Sequence, residues 1–242
     1  MKTYGLIGKT LSHSFSSEFF KSYFQKEAIE ASYQNFELES IEGILSVFAQ
    51  NPSGLNVTIP YKELVIPYLD ALDPIAKAIG AVNTIVFKDG QKIGYNSDAF
   101  GFQQSIKPFL CNHHERALIF GTGGASKAIA YVLKNIGIDV LYVSRNPTGE
   151  SKHFSYKEVN DNMMHACKLI INCTPVGSFP NPDGILPIPF TTIGADHLVI
   201  DLVYNPEKTK LLQKAEGQGA TIMNGKSMLQ EQALKSWEYW NQ

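Results

Sequence analysis

Short apolar or β-branched runs alternate along the chain with longer segments whose apolar positions recur at helical spacing. This alternation is typical of α/β proteins with mostly parallel sheets. The first part predicts strands over Thr3–Ile7, Tyr33–Leu38, Gly54–Thr58, Ala81–Lys88 and Gln91–Tyr95, and helices over Ser16–Ala28, Ile41–Gln50 and around Tyr61–Tyr68. The last two strands are predicted to form a hairpin that turns at Asp89-Gly90, a pair favoured in tight turns.

The same alternation restarts in the second part. It predicts strands over Arg116–Phe120, Asp139–Ser144, Leu169–Asn172, Leu198–Leu202 and Thr221–Met223, and helices over Gly124–Ile136, Lys208–Gln218 and Ser227–Trp240. A proline-rich connector between Gly177 and Asp196 is expected to be an ordered loop beside a site. The change of pattern places a domain boundary near Asp98–Phe102, so we predict one α/β domain over residues 1–100 and a second over residues 101–225.

Composition narrows the classes of partner. The 242 residues are 44% hydrophobic and 18% charged, with a net charge of −2, which is ordinary for a globular chain. There is no basic run, so nothing indicates binding to nucleic acid or to an anionic membrane. No window approaches the roughly 20 apolar residues of a membrane span, and the N-terminus does not have the pattern of a signal peptide.

Cysteine and histidine usage gives no sign of a metal site. Cys111, Cys167 and Cys173 include no CxxC pair, which argues against a disulfide framework or structural zinc. His113 and His114 are adjacent and precede a predicted strand, so we expect both on the surface of a connecting loop. We predict no bound metal and a location in the reducing cytoplasm.

A glycine-rich turn follows the predicted strand Arg116–Phe120 and opens the next helix. Gly121 would allow a tight turn, and Gly123 would let the backbone approach a pyrophosphate at the positive end of that helix. Ser126 stands at the third fingerprint position, where the dinucleotide-binding motif usually has glycine. A purely structural turn is the alternative, and the strand–turn–helix context favours cofactor binding.

The end of the following strand bears on the choice between NAD and NADP. An NAD site places a carboxylate there for the ribose 2′-hydroxyl, whereas a 2′-phosphate is bound by arginine. The chain has Ser144-Arg145-Asn146 at this point, with no acid. Arg145 therefore favours NADP; the alternative is a solvated surface arginine.

Four polar clusters in the first part occupy positions where a plain core would be apolar. They are Ser12–Ser16, Asn56–Lys62, Gly80–Thr84 and Asn96–Asp98. The last three lie at or beside a predicted strand end, where α/β proteins collect ligand groups. Each cluster alone could serve capping or turn formation, and Ser16, for example, could cap the first helix.

Taken in order, these clusters closely resemble motifs of the shikimate dehydrogenase family. The family's NVTxPxK, GAVNT and GxNTD motifs correspond to Asn56–Lys62, Gly80–Thr84 and Gly94–Asp98, and the likeness continues through the glycine turn, Ile171–Gly177, Asp201–Pro206 and Asn224–Gln232. The resemblance spans nearly the whole chain. It implies NADP-dependent, reversible reduction of 3-dehydroshikimate to shikimate, in the shikimate pathway of aromatic amino acid biosynthesis.

The resemblance also implies roles for individual residues. The matching substrate positions are Ser14 and Ser16 at the carboxylate, Asn56, Thr58, Asn83 and Gln232 at the ring hydroxyls, Tyr204 near the substrate, and Lys62 with Asp98 as the catalytic pair. The matching cofactor positions are Gly121, Gly123, Gly124 and Ala125 at the pyrophosphate, Arg145 at the 2′-phosphate with Ser144 beside it, Thr174 in the loop alongside, and Gly225 and Met228 at the nicotinamide.

The implied architecture is an N-terminal substrate domain followed by a Rossmann-like NADP-binding domain. Because Gln232 must reach the substrate, the C-terminal helix, within residues 226–242, is expected to return to the first domain. Trp237, Tyr239 and Trp240 could then pack against that domain, or they could form a docking face. A monomer and a homodimer are both compatible with the sequence.

The catalytic pair has a plain chemical purpose. Hydride delivered to a ketone carbon leaves charge on the oxygen, and a lysine in reach can donate a proton or stabilise that charge. A neighbouring carboxylate would orient the lysine and the substrate hydroxyl. The alternative for Lys62 is a surface ion pair, which leaves the motif around Asp98 unexplained.

The sequence departs from the family pattern at several positions. Ser97 replaces the usual threonine, Ser17 a proline, and Asn224 and Ser227 an aspartate and a glycine. The family usually has a second basic residue in a helix shortly after the arginine, but Pro147 and Gly149 disfavour that helix here, and Lys152 could substitute from another place.

Three rival functions remain open at this point. The first is an NAD-linked quinate/shikimate dehydrogenase, against which the missing strand-end acid argues. The second is a non-catalytic shikimate-binding homologue, which Lys62 and Asp98 together disfavour. The third is a folate-linked dehydrogenase, in which Ser14 and Ser16 would have no evident purpose.

Overall fold

A computed structural model describes residues 1–11 and 14–242, and these divide into two compact units. One unit contains Met1–Gln104 together with Leu229–Gln242, and the other contains Ser105–Met228. Each unit has its own six-stranded sheet. The α/β class that the alternation predicted is therefore confirmed.

The first unit is built on a mixed sheet with strand order β2-β1-β3-β5-β6-β4. Its strands are β1 (Lys2–Gly8), β2 (Ala31–Glu37), β3 (Gly54–Val57), β4 (Ala71–Leu72), β5 (Thr84–Lys88) and β6 (Gln91–Tyr95). Its helices are α1 (Phe15–Lys26), α2 (Ile44–Phe48), α3 (Tyr61–Leu64), α4 (Pro74–Ile79) and most of α5 (Ser97–Ile106), with 3₁₀ turns at Ile41–Gly43 and Ile66–Tyr68. Strand β1 is parallel to β2 and β3, whereas β5 is antiparallel to β3 and β6.

The predicted hairpin is confirmed as β5 and β6. Asp89 and Gly90 have φ angles of 52° and 77°, the left-handed conformations that a tight two-residue turn requires. The first strand of the pair was predicted too long, because it begins at Thr84. Before that point the backbone bonds elsewhere: the Val82 N–H donates to the Lys62 carbonyl over 2.8 Å.

The second unit is built on a wholly parallel sheet with strand order β12-β11-β10-β7-β8-β9. Its strands are β7 (Arg116–Phe120), β8 (Asp139–Ser144), β9 (His153–Ser155), β10 (Leu169–Asn172), β11 (Leu198–Asp201) and β12 (Thr221–Asn224). Its helices are α6 (Gly124–Asn135), α7 (Asp161–Ala166) and α8 (Lys210–Gly217), with 3₁₀ turns at Lys107–Phe109, Tyr156–Glu158 and Phe190–Thr192. Apart from the 3₁₀ turn at Phe190–Thr192, the proline-rich connector is irregular, and it buries Leu186 and Ile188 in the core of this unit.

The first unit has apolar cores on both faces of its sheet. Side chains alternate along β1, so Tyr4 and Leu6 face one core and Ile7 faces the other. The Tyr4 face is covered by α1 and by the last helix of the chain, α9 (Lys226–Trp240). Among the described residues, no helix has both the length and the apolar composition for crossing a membrane.

Trp240 closes the core under α9. Its ring lies 4.8 Å from the Tyr4 ring, centroid to centroid, and its indole N–H donates to the Ile85 carbonyl over 3.1 Å. The Trp240 ring lies against Gly54 of strand β3, and a Cβ at that position would overlap the ring. Trp237 packs in the same cluster, so the aromatic residues of this helix serve packing within the first unit.

Replacing Trp240 with alanine is expected to lower the free energy of unfolding by about 3–5 kcal/mol, because it opens a cavity and removes the bond to Ile85. Urea unfolding followed by circular dichroism measures the change. Leu234→Ala on the same helix is the control, since Leu234 is 42% exposed and its loss should cost within about 0.5 kcal/mol. Equal costs for the two variants would contradict the packing described for Trp240.

Candidate active site and cofactor-binding edge

Lys62 and Asp98 form a close ion pair in the first unit. Lys62 Nζ donates to Asp98 Oδ2 over 2.6 Å, and the two side chains are 12% and 2% exposed. Lys62 lies on α3, just after β3, and Asp98 lies in the first turn of α5, just after β6. The mixed sheet thus brings together two residues 36 positions apart, the pair that the sequence predicted as catalytic.

Asn83 holds the Asp98 carboxylate from its other side. The Asn83 side-chain amide donates to Asp98 Oδ1 over 2.9 Å and to Gln232 Oε1 over 3.0 Å. The Asn83 side-chain carbonyl accepts from the Ser97 backbone N–H over 2.7 Å. Asp98, Asn83 and Gln232 therefore form one connected set of side chains, with Lys62 at its outer end.

Asn56 continues this network into the interior. Its carbonyl oxygen accepts from the Tyr33 hydroxyl over 2.8 Å, and its amide donates to the Asn83 backbone carbonyl over 3.1 Å. The Tyr33 hydroxyl also hydrogen-bonds with Ser16, and burial raises the pKa of Tyr33. The orientation of the Asn56 amide is consequently fixed by partners on both of its ends.

Ser236 is a member of the network that sequence reasoning missed. This fully buried serine on α9 accepts from Asn56 Nδ2 over 2.9 Å and hydrogen-bonds with Thr84 Oγ1 over 2.8 Å and Ser97 Oγ over 3.0 Å. One signal could have found it: Ser236 follows Gln232 by four residues, so the two share a face of the helix.

The remaining predicted substrate residues lie on other segments of the chain. Ser14, rather than Ser16, caps α1, since its hydroxyl accepts from the Ser17 N–H over 3.3 Å; the suggestion that Ser16 is the cap was wrong. Thr58 follows β3 directly and is half-buried. Tyr204 belongs to the second unit, in the loop after β11. Ser12 and His13 of the first polar cluster lie outside the described residues.

In the second unit, the predicted cofactor residues gather at one edge of the parallel sheet. Parallel strands bring their carboxyl ends to the same edge, and the strand order reverses between β7 and β10, where such sheets bind ligands. The glycine turn follows β7, Thr174 follows β10 and Gly225 follows β12. Gly225 permits close backbone packing, because a Cβ there would overlap the Leu202 carbonyl oxygen, and Met228 is buried three residues further on.

The glycine turn leaves room for a ligand. Gly121 has a φ of 105°, a conformation that other residues rarely adopt. Apart from its own chain neighbours, no described residue has an atom within 4 Å of a Cβ built on Gly123. Gly123 is the N-cap of α6 and, being a glycine, has no side chain to cap this helix start. The N–H groups of the first turn, which includes Gly124 and Ala125, can therefore donate to an anion, which the helix dipole also favours.

Arg145 follows β8 at the same edge and is exposed, next to Ser144. As Pro147 and Gly149 predicted, no helix follows it within 145–152. The suggestion that Lys152 substitutes for a second basic residue stays a prediction, and the contacts of this lysine do not favour it. Lys152 Nζ pairs with Asp139 Oδ1 at 2.5 Å, and Asp139 begins β8 whereas Arg145 follows the end of that strand.

The loop before β7 differs from the prediction that both of its histidines lie on the surface. His114 is buried rather than on the surface, and only His113 is exposed. Ligand atoms of Cys111, His113 and His114 lie within 4.8 Å of one another. However, the His114 ring already accepts from the Cys111 N–H over 3.0 Å and bonds to the Asp196 backbone. Because both nitrogens of the His114 ring have these partners, we assign no metal ion to these three residues.

Comparison with known proteins identifies the family of this chain. A family model described as the shikimate dehydrogenase substrate binding domain matches residues 6–85. A protein of Methanosphaera stadtmanae named shikimate dehydrogenase (NADP(+)) is 38% identical over 252 aligned residues, which cover 97% of this chain and 89% of the relative. The chain belongs to the shikimate dehydrogenase family. The resemblance found in the sequence motifs is thereby confirmed.

Solved structures extend the shikimate dehydrogenase likeness to the fold. The crystal structure of shikimate dehydrogenase from Aquifex aeolicus aligns with a TM-score of 0.87 at 33% identity, covering 100% of this chain and 92% of that one. The structure of shikimate 5-dehydrogenase from Thermus thermophilus in complex with NADP(H) and shikimate aligns with a TM-score of 0.86 at 29% identity, covering 99% and 93%.

Asp201, at the end of β11, gives the shikimate dehydrogenase fold of this chain a pH-dependent stability. Burial raises the pKa of its carboxyl group from 3.8 to about 6, although Thr209, Val203 and Asn172 all donate hydrogen bonds to it. The unfolded chain releases this proton near its ordinary pKa, whereas the folded chain holds it to a higher pH. The protonated Asp201 carboxyl group therefore contributes its full stabilisation of the fold below its pKa in the unfolded chain. This contribution is lost as the pH rises through its pKa in the folded chain.

We expect the free energy of unfolding of the wild type, relative to Asp201→Asn, to fall by up to about 3 kcal/mol between about pH 4 and pH 7. Urea unfolding of both proteins across that range measures the difference. Asparagine keeps the shape without the titrating proton, and all other carboxyl groups are common to the two proteins. Parallel pH profiles would show that Asp201 does not titrate in this range.

Proposed function

We propose that the chain catalyses the reversible, NADP-dependent reduction of 3-dehydroshikimate to shikimate in aromatic amino acid biosynthesis. The observation that carries the proposal is the nearly buried Lys62–Asp98 pair, with Asn83 on the second carboxylate oxygen. Membership of the shikimate dehydrogenase family supports it, as do the relatives named for NADP(+) and solved with NADP(H) and shikimate.

On the substrate side, Lys62 and Asp98 are the proposed catalytic residues. Lys62 Nζ would donate a hydrogen bond, and then a proton, to the carbonyl oxygen that gains charge as hydride arrives at the carbon. Asp98 would keep the lysine ammonium aimed at that oxygen and accept from a neighbouring hydroxyl. A pair held by Asn83 before substrate binds needs little reorganisation during the reaction.

The other proposed substrate residues bind and orient the ring. Asn56, Asn83 and Gln232 offer amide groups whose directions are set by buried partners, and Thr58 and Tyr204 offer hydroxyls. Ser14 and Ser16 would bind the substrate carboxylate with two hydroxyl donors. Residues 1–100 with 226–242 are thus the proposed substrate domain, and residues 101–225 the proposed NADP-binding domain.

On the cofactor side, the glycine turn and the start of α6 would hold the pyrophosphate. The N–H groups of the first helical turn, at Gly124 and Ala125, fit its negative charge. Arg145, with Ser144 beside it, would bind the 2′-phosphate. Thr174 would lie alongside the cofactor, next to the glycine turn, and Gly225 and Met228 would surround the nicotinamide. NADPH, when bound, supplies the hydride.

We also propose a cellular location, an oligomeric state and the binding partners of the enzyme. Cytoplasmic location is supported by Cys111, Cys167 and Cys173 all being free thiols, and burial raises the pKa of Cys173, which keeps it protonated. We propose a monomer or homodimer, because one chain supplies residues for both substrate and cofactor. Shikimate and 3-dehydroshikimate are the proposed small-molecule partners, and no role in binding nucleic acid or membranes is proposed.

Lys62→Ala is expected to lower kcat for shikimate oxidation by about 10²- to 10⁴-fold, because the reacting hydroxyl loses the group that accepts its proton as the hydride leaves. Initial rates with shikimate and NADP measure kcat, and calorimetric titration tests that shikimate still binds. The matched control is Lys92→Ala, which breaks an ion pair of the same 2.6 Å length to Asp70, with side chains 27% and 42% exposed. This control should leave kcat unchanged.

Two outcomes would contradict the catalytic assignment. Full activity in Lys62→Ala would remove this residue from the chemistry. A wild-type chain that binds shikimate but turns over neither shikimate nor quinate with NADP or NAD would be a non-catalytic binding protein.

Arg145→Ala is expected to raise KM for NADP by about 10- to 100-fold and to change KM for NAD little, because it removes charge-assisted bonds to the 2′-phosphate. Initial rates with each cofactor at saturating shikimate provide both constants. Lys152→Ala is the control, since this lysine is engaged with Asp139, and it should leave the preference for NADP unchanged. A wild type that prefers NAD would indicate the NAD-linked quinate/shikimate dehydrogenase instead.

A further inference from the structure

Asn172 and Asp201 form a buried polar pair on neighbouring strands of the second unit. They stand opposite each other in the register of β10 and β11, and both are 0% exposed. The Asn172 side-chain amide donates to Asp201 Oδ1 over 2.9 Å. Asp201 Oδ2 accepts from the Thr209 hydroxyl over 2.6 Å, so both carboxylate oxygens are occupied and the carboxylate has a fixed orientation.

The other end of Asn172 shapes the loop that follows β10. Its side-chain carbonyl accepts from the Thr174 N–H over 3.0 Å and from the Thr174 hydroxyl over 2.6 Å. Its amide also donates to the Val176 carbonyl over 3.2 Å. A single buried side chain therefore fixes the backbone of residues 172–176, with Asp201 fixing that side chain in turn.

This loop lies directly against the glycine turn. A Cβ on Gly121 would come within 3.2 Å of Thr174 Cγ2 and 3.4 Å of the Cys173 backbone. The Cys173 N–H donates to the Phe120 carbonyl over 2.8 Å, at the last residue of β7. Any displacement of Thr174 would alter the wall that faces the proposed pyrophosphate site.

We propose that Asn172 and Asp201 are positioning residues, which hold the Thr174 loop against the glycine turn so that the dinucleotide can bind; this role rests on the proposed NADP-dependent function. Neither residue need touch the cofactor, because both act through Thr174. The amide must donate towards Asp201 for its carbonyl to receive the two Thr174 donors. The carboxylate thus sets which way the Asn172 amide faces.

The test exchanges the two polar groups. Asn172→Asp places a second carboxylate opposite Asp201 at a distance where the amide had donated, and two buried like charges repel. Calorimetric titration with NADP⁺ should show affinity at least about tenfold weaker. Adding Asp201→Asn to this variant restores one amide facing one carboxylate, and it should recover most of the lost affinity.

The pH dependence gives a signature that general destabilisation would not. Two facing carboxyl groups can share one proton, and that proton restores a hydrogen bond between them. The NADP⁺ affinity of Asn172→Asp should therefore recover towards that of the wild type as the pH is lowered from about 8 to about 6. Asn160→Asp is the matched control, because this exposed amide caps α7 and aspartate caps equally well.

The outcomes separate this inference from the function on which it rests. Weakened NADP⁺ binding in Asn172→Asp, with shikimate binding unchanged, recovery in the double variant and recovery at low pH, would support the positioning role. Unchanged NADP⁺ affinity in Asn172→Asp, or equal weakening of NADP⁺ and shikimate binding without rescue, would overturn the positioning role alone. A wild type that binds no NADP⁺ would overturn both.

Discussion

The organisation of the first unit depends on keeping a buried amide fully hydrogen-bonded. Asn83 is 2% exposed, and an amide in that position would be costly without partners. Its partners come from α5 and α9 as well as from the adjoining strand, so satisfying it draws together Asp98, Ser97 and Gln232. The hydrogen bonds that offset the burial of the Asn83 amide also fix the Asp98 carboxylate, which faces Lys62. Stability and pre-organisation of the site thus have one physical origin.

The second unit also brings polar groups together at one place, but by a different geometry. Its strands are parallel, so side chains at their carboxyl ends meet at one edge without any long-range pairing of polar groups. Most of its ligand contacts would then come from the backbone, at the glycine turn and the start of α6. The buried Asn172–Asp201 pair is the exception, because it stabilises a loop that has no sheet or helix to support it.

Much of this arrangement could be read from the sequence, for reasons that differ by element. Strands such as Arg116–Phe120 and Leu169–Asn172 were predicted with their observed bounds, because both are short apolar runs that end at polar or glycine residues. Helix α4 was missed although Asp73, Pro74 and Gly80 supplied its cap, first residue and end; six residues give too little periodicity to stand out. Strand β9 is three residues long and has the same difficulty.

The site residues show where sequence reasoning stops. Motifs identified Lys62, Asp98 and Asn83, but their contacts depend on sheet order, which the motifs do not contain. Ser236 was not predicted, because a serine inside a helix has many ordinary explanations. Its role depends on a hydrogen bond with Asn56, which is 180 residues away in the chain. Lys152 was suggested as a substitute because the residues directly after Arg145 supply no second basic side chain. Pairing of β8 with β9 instead leaves its ammonium group beside Asp139.

The first unit is discontinuous, and this bears on how the protein is made. Ser105–Met228 is a continuous segment, so the second unit can fold as soon as it has been synthesised. The first unit lacks the indole above Gly54 until synthesis has reached Trp240. Protease sensitivity of chains shortened before α9 would measure how incomplete its core is. The segment that is translated first therefore has its core completed only by the segment that is translated last.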